Sequence, residues 1–284
     1  MHPADFNPMA TQPDSDAAHQ LGAIVRIHGP QAVAAQDAIA CEQAVALEYN
    51  GIAHATLLAS PLHVRELALG FSFTEGIIRD AADVLDMDIE TTPLGLIARV
   101  TILNSRLHAL KQRRRHLAGS TGCGLCGVEG LSQIPRDLPS LPRPARPWRQ
   151  AAVERALGQL RRGQPLHNLT GATHAAAWAD PEGALAWIFE DVGRHNALDK
   201  LIGHLLLQPV DRSQGFVVVS SRASFEMVQK AHAAGIGALI AVSAPTTLAV
   251  QLAQAAPMML AGFARDGRFT LYSHPDYLEQ ESRP

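Results

Sequence analysis

The sequence predicts an α/β protein in two parts, an α+β unit followed by a domain with a mostly parallel sheet. Three observations support this fold class: short apolar runs separated by turn signals up to residue 103, a proline-rich segment at 134–148, and regular alternation of strand-like and helix-like runs beyond it. A chain of 284 residues, 47% of them apolar, is long enough to bury a sizeable core.

The α+β unit begins with a hairpin signal. Asn50-Gly51 lies between two apolar runs, and both residues tolerate the positive φ that a tight hairpin turn requires. A helix is predicted from Pro61 to Gly76, because proline favours the first turn of a helix and glycine favours its end. The predicted strands lie near 42–48, 52–58, 84–91 and 95–103, and a helix near 105–117 completes a unit with predicted bounds of 21–118.

The second part follows a segment that excludes regular structure. Five prolines between Ile134 and Trp148 are incompatible with the interior of a helix or a sheet, so 119–150 is predicted to be a mobile loop and linker. The domain predicted at 151–278 alternates strands with helices, which implies crossover connections and a largely parallel sheet. Its predicted helices lie at 151–161, 196–207, 224–234 and 246–255, and its strands at 184–190, 215–220 and 238–243, before a hairpin over 258–272 that turns at Asp266-Gly267.

Composition and the N-terminal segment restrict the cellular setting. Residues 1–20 carry several aspartates and prolines without a basic start or an apolar stretch, which predicts a disordered tail and not a signal peptide. No apolar run approaches the roughly 20 residues that span a bilayer. The formal net charge of -3 gives no general attraction to nucleic acid or to anionic membranes. We therefore expect a cytoplasmic protein with reduced thiols and with neither nucleic acid nor membrane as a partner.

A C-x-x-C pair is the most reactive motif of the chain. Cys123 and Cys126 lie in the glycine-rich run 121–127, and such pairs hold zinc, cycle between dithiol and disulfide, or carry sulfur as a persulfide. The third cysteine, Cys41, is solitary and is expected to be a small buried hydrophobe, so one chain lacks the four ligands of a structural zinc site. Two chains could still share zinc through their pairs. The surrounding glycines do not favour the helix start that activates thioredoxin-like pairs, and they favour a mobile thiol-bearing loop.

Polar clusters follow the predicted strands of the second part. Because the carboxyl ends of parallel strands meet at one edge of a sheet, where ligands of open α/β sheets bind, these clusters predict a site for an anionic ligand. Arginines there would bind phosphate through two donors, whereas the hydroxyl residues could instead be ordinary helix caps. The candidate residues are Arg194, His195, Ser220, Ser221, Arg222, Ser243 and Thr246.

Several long motifs occur in one order. They are Leu67–Ile78, Thr121–Gly127, Thr170-Gly-Ala-Thr-His174, Glu190–Lys200, Ser220–Lys230 and Ala241–Thr246. Together they resemble the formate dehydrogenase accessory sulfurtransferases, the FdhD family, over about residues 22 to 275. The family more often has Met-x-Thr-Pro where this chain has Leu58-Ala59-Ser60-Pro61.

The resemblance implies a sulfur carrier. It implies that a cysteine desulfurase donates persulfide sulfur to Cys123, that Cys126 assists, and that the sulfur passes to the molybdenum of a bis-(molybdopterin guanine dinucleotide) substrate, which then serves formate dehydrogenase. It also implies a homodimer, a second domain that resembles cytidine deaminases without their zinc, and no metal of its own. The segment expected to bind the GDP-like guanine nucleotide parts of that cofactor is Phe263, Ala264, Arg265, Asp266, Gly267 and Arg268.

Two other functions stay open at this point. One is a nucleotide-binding module with a zinc site shared between two chains through Cys123 and Cys126, and the other is a dithiol oxidoreductase. The sequence also leaves open whether Asp191, His195 and Lys200 contact a ligand or support the fold.

Overall fold

The computed structural model describes residues 18–118, 140–265 and 267–279. The first part contains a four-stranded sheet in the order β4-β3-β6-β5, in which only β3 and β6 are parallel. A separate two-stranded hairpin, β1-β2, precedes it. The elements are β1 His19–His28, β2 Gln31–Ala40, β3 Gln43–Tyr49, β4 Ile52–Ala59, α1 Val64–Thr74, β5 Val84–Thr92, β6 Gly95–Ile102 and α2 Asn104–Ala118.

The Asn50-Gly51 turn between β3 and β4 forms as the sequence predicts. Asn50 has a φ of 49° and Gly51 a φ of 77°, which is the left-handed geometry of a tight hairpin. The Asn50 side chain also exchanges two hydrogen bonds with the backbone of Ile102, because its amide donates at 3.1 Å and its carbonyl oxygen accepts at 3.0 Å. The turn therefore fixes the end of β6 as well as its own hairpin.

The second part contains a six-stranded sheet in the order β13-β12-β11-β10-β8-β9. Helices α5, α6 and α7 cover one face, and α3 covers the other together with Trp148. The elements are β7 Trp148–Arg149, α3 Gln150–Arg162, α4 Pro165–Thr170, β8 His174–Ala179, β9 Leu185–Asp191, α5 Arg194–Leu205, β10 Phe216–Val219, α6 Phe225–Ala233, β11 Ala238–Ala241, α7 Thr247–Ala255, β12 Met259–Arg265, β13 Arg268–Ser273 and β14 Leu278–Glu279.

The α/β class is confirmed. The sequence predicts a mostly parallel sheet, but the parallel part of the sheet is smaller than predicted. Only β10, β11 and β12 pair in parallel, whereas β8 pairs antiparallel with both β10 and β9, and β13 pairs antiparallel with β12. The difference arises because β8, which the sequence pattern did not predict, forms a hairpin with β9. A short hairpin reverses the chain, whereas a parallel pair needs a crossover.

The two parts pack against each other through α1 and α5, at glycines that permit contact between helix backbones. A Cβ on Gly70 would lie 1.8 Å from the carbonyl oxygen of Asp199. A Cβ on Gly203 would lie 2.0 Å from the carbonyl oxygen of Glu66. Both positions exclude any side chain, so the relative placement of the helices depends on these two glycines.

Candidate functional site

The carboxyl ends of four strands of the large sheet meet at one edge. β10, β11 and β12 run in the same direction, and β9 joins them because it is antiparallel to β8, which is itself antiparallel to β10. The structure therefore brings together the polar clusters that follow β9, β10 and β11 and the segment that ends β12. Strand β9 reaches this edge without a crossover connection, because the β8-β9 hairpin places the carboxyl end of β9 beside the carboxyl ends of the parallel strands.

Backbone hydrogen bonds connect the neighbouring clusters. Ser220 donates its N–H to the carbonyl of Ala175 at 3.0 Å, and its hydroxyl accepts the N–H of Ala175 at 2.8 Å. Beyond it, the N–H of Ser243 lies 3.4 Å from the carbonyl of Ser221, and the carbonyl of Ser243 accepts the N–H of Phe263 at 3.1 Å. The strand ends thus form one continuous backbone rim and not three separate loops.

Phe263 has a strained backbone at this rim. Its φ is 53°, in the left-handed region that bulky residues rarely adopt, and its side chain is 47% exposed. The strain accompanies an irregular register between Gly262 and Arg265 in the pairing of β12 with β13. Strained residues are concentrated at binding sites, where the surrounding structure holds them in place.

Two arginines face each other where β12 and β13 meet. Arg265 is directly paired with Arg268 in the strand register, and both side chains are exposed. Like charges placed opposite each other destabilise a strand pair, and no acidic partner for either is present in the part of the chain that the structure describes. Both line a cavity of about 760 Å³ with Phe263, Gly267 and Thr270. An anionic ligand would offset their repulsion.

Arg265 also borders a second cavity, of about 530 Å³. It lies between α3, α4 and the rim, and its wall includes Thr173, His174, Ser220 and Ala264. Helix α4 is held here by the carboxylate of Glu190, which accepts the N–H groups of Leu166 at 2.9 Å and His167 at 2.7 Å and the hydroxyl of Thr173 at 2.9 Å. The guanidinium of Arg265 borders both cavities. This position suits a ligand that carries a charged group in its middle, next to the guanidinium, and a planar group at its end.

Arg194 and His195 open helix α5 at the same edge. The Nε of Arg194 is buried and has no hydrogen-bond partner among the described residues. His195 places Nε2 2.7 Å from Oε2 of Glu226. The pKa of His195 is lowered by burial and by the charge of Arg194, although Glu226 opposes the shift. The pKa of His174 is lowered by the same two causes in the same order, so both imidazoles are predominantly neutral near pH 7.

Asp191 and Lys200, by contrast, support the fold. Neither side chain is exposed, and they pair with each other at 2.5 Å. Asp191 accepts the N–H of Ser60 at 3.0 Å, and Lys200 donates to the carbonyl of Ser60 at 3.1 Å. The hydroxyl of Ser60 accepts the N–H of Val192 at 3.1 Å. These groups join the two parts of the protein and leave no donor for a ligand.

The other predicted residues have diverse environments. Ser221 is buried and donates to the carbonyl of Arg222 at 3.1 Å, while the side chain of Arg222 is exposed. Thr246 is the N-cap of α7, with its hydroxyl 3.4 Å from the N–H of Ala249, as the helix-cap interpretation anticipates. Cys123, Cys126 and Asp266 lie outside the described residues. Within the described ranges, no three His, Cys, Asp or Glu side chains form a metal-binding group.

Sequence reasoning missed one wall of the second cavity. Helix α4 was not predicted, although Pro165 at its start and Gly171, with a φ of 69°, just beyond its end are the expected signals. The motif Thr170–His174 is one of those that carry the family resemblance, but the sequence does not assign its residues to the binding site. Strand β8, which holds His174 in place, carries little β signal because it is mainly alanine.

Comparison with known proteins agrees with the motifs. Residues 40–279 match the FdhD/NarQ family. The Sulfur carrier protein FdhD of Bordetella petrii is 52% identical over 258 residues, which cover 90% of this chain and 92% of that protein. The Sulfur carrier protein FdhD of Cupriavidus necator is 45% identical over 282 residues, which cover 99% of this chain and 98% of that protein.

A solved structure shares the fold. The crystal structure of a protein assigned as a formate dehydrogenase accessory protein in Desulfotalea psychrophila has a TM-score of 0.72 and 21% identity, and the alignment covers 92% of this chain and 100% of that chain. No helix in the described ranges is long and apolar enough to cross a membrane. The family match spans most of this chain, and the alignments include nearly the whole length of both relatives. This protein therefore belongs to the FdhD/NarQ family.

Proposed function

We propose that the protein is a sulfur carrier, a sulfurtransferase that moves persulfide sulfur from a cysteine desulfurase to the bis-(molybdopterin guanine dinucleotide) cofactor used by formate dehydrogenase. Support comes from the family and from relatives that bear the name Sulfur carrier protein FdhD. The single structural observation that carries the proposal is the facing pair Arg265 and Arg268, which lacks an acidic partner in the described ranges and borders a cavity at the strand-end edge.

The first step loads sulfur on Cys123. The Cys123 thiolate attacks the outer sulfur of the donor's cysteine persulfide, a new S–S bond forms at Cys123, the donor's S–S bond breaks, and the donor cysteine leaves as a thiolate. Cys126 is placed in the same C-x-x-C motif to assist when the outer sulfur leaves Cys123. The S–S bond at Cys123 would then break as the outer sulfur bonds to the molybdenum of the bound substrate, Cys123 would leave as a thiolate, and the two electrons that convert the transferred sulfur to a sulfide ligand would come from that molybdenum.

The strand-end edge binds that substrate. Each guanine dinucleotide carries a diphosphate, and guanidinium groups bind phosphate oxygens through paired donors. Arg265 and Arg268 would hold one diphosphate at the rim, and Arg194 supplies a buried Nε that has no hydrogen-bond partner in the described ranges. The remaining predicted contacts are His195, Ser220, Ser221, Arg222, Ser243, Thr246 and the segment Phe263, Ala264, Asp266 and Gly267.

The cavities suit the other parts of the nucleotide. The polar wall made by Thr173, His174 and Ser220 offers hydroxyl and imidazole groups to a guanine or a ribose. A neutral histidine has one nitrogen that donates and one that accepts a hydrogen bond. This suits the edge of guanine, which has both donors and acceptors, better than a protonated histidine, which only donates. In this proposal the protein works in the cytoplasm as a homodimer, with a cysteine desulfurase and a formate dehydrogenase as partners.

Mass spectrometry tests the sulfur-carrier function directly. The full-length protein, incubated with a cysteine desulfurase and cysteine, is expected to gain one sulfur atom on Cys123. Cys123→Ser should not be loaded, whereas the matched variant Cys41→Ser should load like the unmodified protein. An unmodified Cys123 in the wild-type protein under these conditions would contradict the proposal.

The same preparation separates the two other functions. About one zinc ion per two chains, bound through both C-x-x-C pairs, would favour the nucleotide-binding module. Loss of all sulfur transfer in Cys126→Ala, with ready formation of a Cys123–Cys126 disulfide in the wild type, would favour the dithiol oxidoreductase. Retention of persulfide on Cys123 in Cys126→Ala is the outcome expected for the carrier.

A further inference from the structure

Two polar contacts connect helices α5 and α6 beside the strand-end edge. His195 and Asp199 lie one turn apart on α5. Glu226 and Lys230 lie one turn apart on α6. His195 Nε2 lies 2.7 Å from Oε2 of Glu226, and Lys230 Nζ lies 2.9 Å from Oδ2 of Asp199. The His195–Glu226 pair is the one nearer the strand ends, because both residues lie in the first turn of their helices.

The Lys230–Asp199 pair is closed and belongs to the scaffold. The side chain of Lys230 is 11% exposed and that of Asp199 is 2% exposed. Lys230 also donates to the hydroxyl of Thr74 at 2.8 Å and to Oε1 of Glu75 at 3.2 Å, which attaches the end of α1 to both helices. The closed pair therefore fixes the spacing of α5 and α6, and with it the position of the His195–Glu226 pair.

The His195–Glu226 pair, by contrast, is open. The side chain of His195 is 29% exposed and that of Glu226 is 56% exposed. His195 is predominantly neutral near pH 7, because burial and the charge of Arg194 lower its pKa. A neutral imidazole whose Nε2 faces a carboxylate carries its proton on Nε2. The ring nitrogen left for a ligand is therefore Nδ1, which is an acceptor.

Arg194 adds a donor beside this pair. It precedes His195 in the first turn of α5, and its buried Nε has no hydrogen-bond partner in the described ranges. The hydroxyl of Ser224, directly before α6, is also buried without a partner there. The carboxylate of Glu226 has lone pairs beyond those that face His195. Arg194, His195 and Glu226 thus offer a donor, an acceptor and a second acceptor in that order.

This group lies apart from the facing arginines of β12 and β13. Helices α5 and α6 cover one face of the sheet, whereas the cavity shared by Arg265 and α3 lies on the other. Four strand intervals separate β12 from β9 in the sheet, which is about 19 Å at about 4.8 Å per interval. A single diphosphate is too short to contact both Arg265 and Arg194. Arg194 therefore faces another part of the ligand.

We infer that Arg194, His195 and Glu226 bind the pterin ring of the molybdopterin substrate by its 2-amino-4-oxo edge. The inference rests on the proposed function, which supplies that substrate, and adds Glu226 as a specificity-determining residue. The ring edge presents a carbonyl acceptor, an N–H donor and an amino donor in that order, which is the complement of the three side chains. A carboxylate that accepts from the amino group forms a charge-assisted hydrogen bond.

Guanine has the same edge, and the position of the group favours the pterin. In the proposed function Arg265 and Arg268 hold a diphosphate, and guanine or ribose meets the cavity wall that includes His174. The diphosphate lies between guanine and pterin in each half of the cofactor. With guanine in that cavity, the pterin extends from the diphosphate in the other direction, across the strand ends toward α5 and α6.

Fluorescence titration of the full chain with pterin and lumazine tests the inference. Lumazine has a carbonyl group where pterin has its 2-amino group, so it cannot donate to Glu226. The wild type should bind pterin at least about 10-fold more tightly than lumazine. Glu226→Gln should weaken pterin binding at least about 10-fold and abolish or reverse this preference, because the glutamine amide can donate to the carbonyl of lumazine.

Glu182→Gln is the matched control. It makes the same change at an exposed position in the turn between β8 and β9, at the opposite end of the sheet from the carboxyl end of β9. Pterin affinity should stay within about threefold of the wild type. GDP separates pterin from guanine: Glu226→Gln should leave GDP affinity within about threefold, and Arg268→Ala should leave pterin affinity within about threefold.

Each outcome decides the inference. Loss of the preference for pterin in Glu226→Gln, with unchanged GDP affinity and unchanged circular dichroism, supports it. Absence of pterin binding by the wild type, or equal affinity for pterin and lumazine, overturns it whether or not the variant folds. Equal weakening of GDP and pterin in Glu226→Gln makes guanine the occupant and overturns the pterin assignment. Sulfur loading on Cys123 of the wild type is measured separately and decides the carrier function whichever ring binds.

Discussion

Lys200 and Asp191 form an ion pair that is closed to solvent, with Nζ 2.5 Å from Oδ2 and neither side chain exposed. Burial lowers the pKa of Lys200, and the carboxylate of Asp191 opposes that shift. Removal of one partner leaves a buried charge without compensation. Lys200→Met should therefore lower the free energy of unfolding by about 3–5 kcal/mol in urea titrations.

Two controls accompany that measurement. Adding Asp191→Asn to Lys200→Met removes the orphaned charge and should recover part of the loss. Arg99→Gln breaks an ion pair at a half-exposed position and should cost less than about 1 kcal/mol. If Lys200→Met lowers the free energy of unfolding no more than Arg99→Gln does, then the ion pair of Lys200 and Asp191 does not hold the two parts of the protein together.

Gly70 should be among the least replaceable residues of the helices. In Gly70→Ala the new methyl group meets the backbone of Asp199 at 1.8 Å, so α1 and α5 must separate, and we expect a loss of more than about 3 kcal/mol in stability. Gly158 in α3 provides the control, because nothing lies within 4 Å of its added Cβ. Gly158→Ala should stabilise the protein by up to about 1 kcal/mol through helix propensity. Thermal unfolding of both variants measures the contrast.

Arg268→Ala should have opposite effects on binding and on stability. Loss of one phosphate-binding guanidinium should raise the dissociation constant for GDP, used as the probe, about 10- to 100-fold. Relief of the repulsion with Arg265 should stabilise the unliganded protein by a few tenths of a kcal/mol, on the order of 0.2–1 kcal/mol. Calorimetric titration and thermal unfolding measure the two effects.

Arg26→Ala, on the β1-β2 hairpin, is the control for that experiment and should leave GDP affinity unchanged. Equal loss of affinity in Arg268→Ala and Arg26→Ala would indicate a general effect of charge, and the assignment of Arg268 to the nucleotide would then be wrong. The difference between the variants should also shrink as salt increases, because exposed charges are screened.

His63 makes stability depend on pH. Burial, with a further contribution from the charge of Lys200, lowers its pKa from 6.5 to about 4. The folded protein therefore favours the neutral ring, and its stabilisation is present above pH 6.5 and is lost as the pH falls from 6.5 through about 4. The loss attributable to His63 should reach about 3 kcal/mol by pH 4.

Urea unfolding of His63→Asn between pH 7 and pH 4 checks this dependence of the free energy of unfolding on pH. Asparagine tolerates the left-handed backbone of His63, which has a φ of 55°, and it does not titrate in this range. The variant should lose less stability than the wild type on acidification. His28→Asn, at an exposed position in the β1-β2 hairpin, should follow the wild-type curve. Parallel curves for wild type and His63→Asn would contradict the prediction.

Local sequence signals predicted most of the elements near the site. The Asn50-Gly51 hairpin, helices α1, α5, α6 and α7, and strands β9 to β13 follow from periodicity and from turn and cap residues. Strands β2 and β8 are not predicted because both are rich in alanine, which has low β propensity. Strand β8 forms between β9 and β10 because small side chains fit a sheet that is covered on both faces.

The sequence alone determined the family, the α/β class, the reactive thiol pair and the polar clusters that follow the strands. The thiol pair and the polar clusters are local, since each depends on residues within a few positions of one another, whereas the family and the fold class follow from the order of motifs and predicted elements along the chain. Only the tertiary structure decided that Asp191 and Lys200 belong to the scaffold, that Arg265 faces Arg268, and that Glu190 supports a cavity wall. The contact between Ser60 and Asp191 joins residues 131 positions apart. Such a contact is set by the packing of α1 against α5, and no local pattern encodes it.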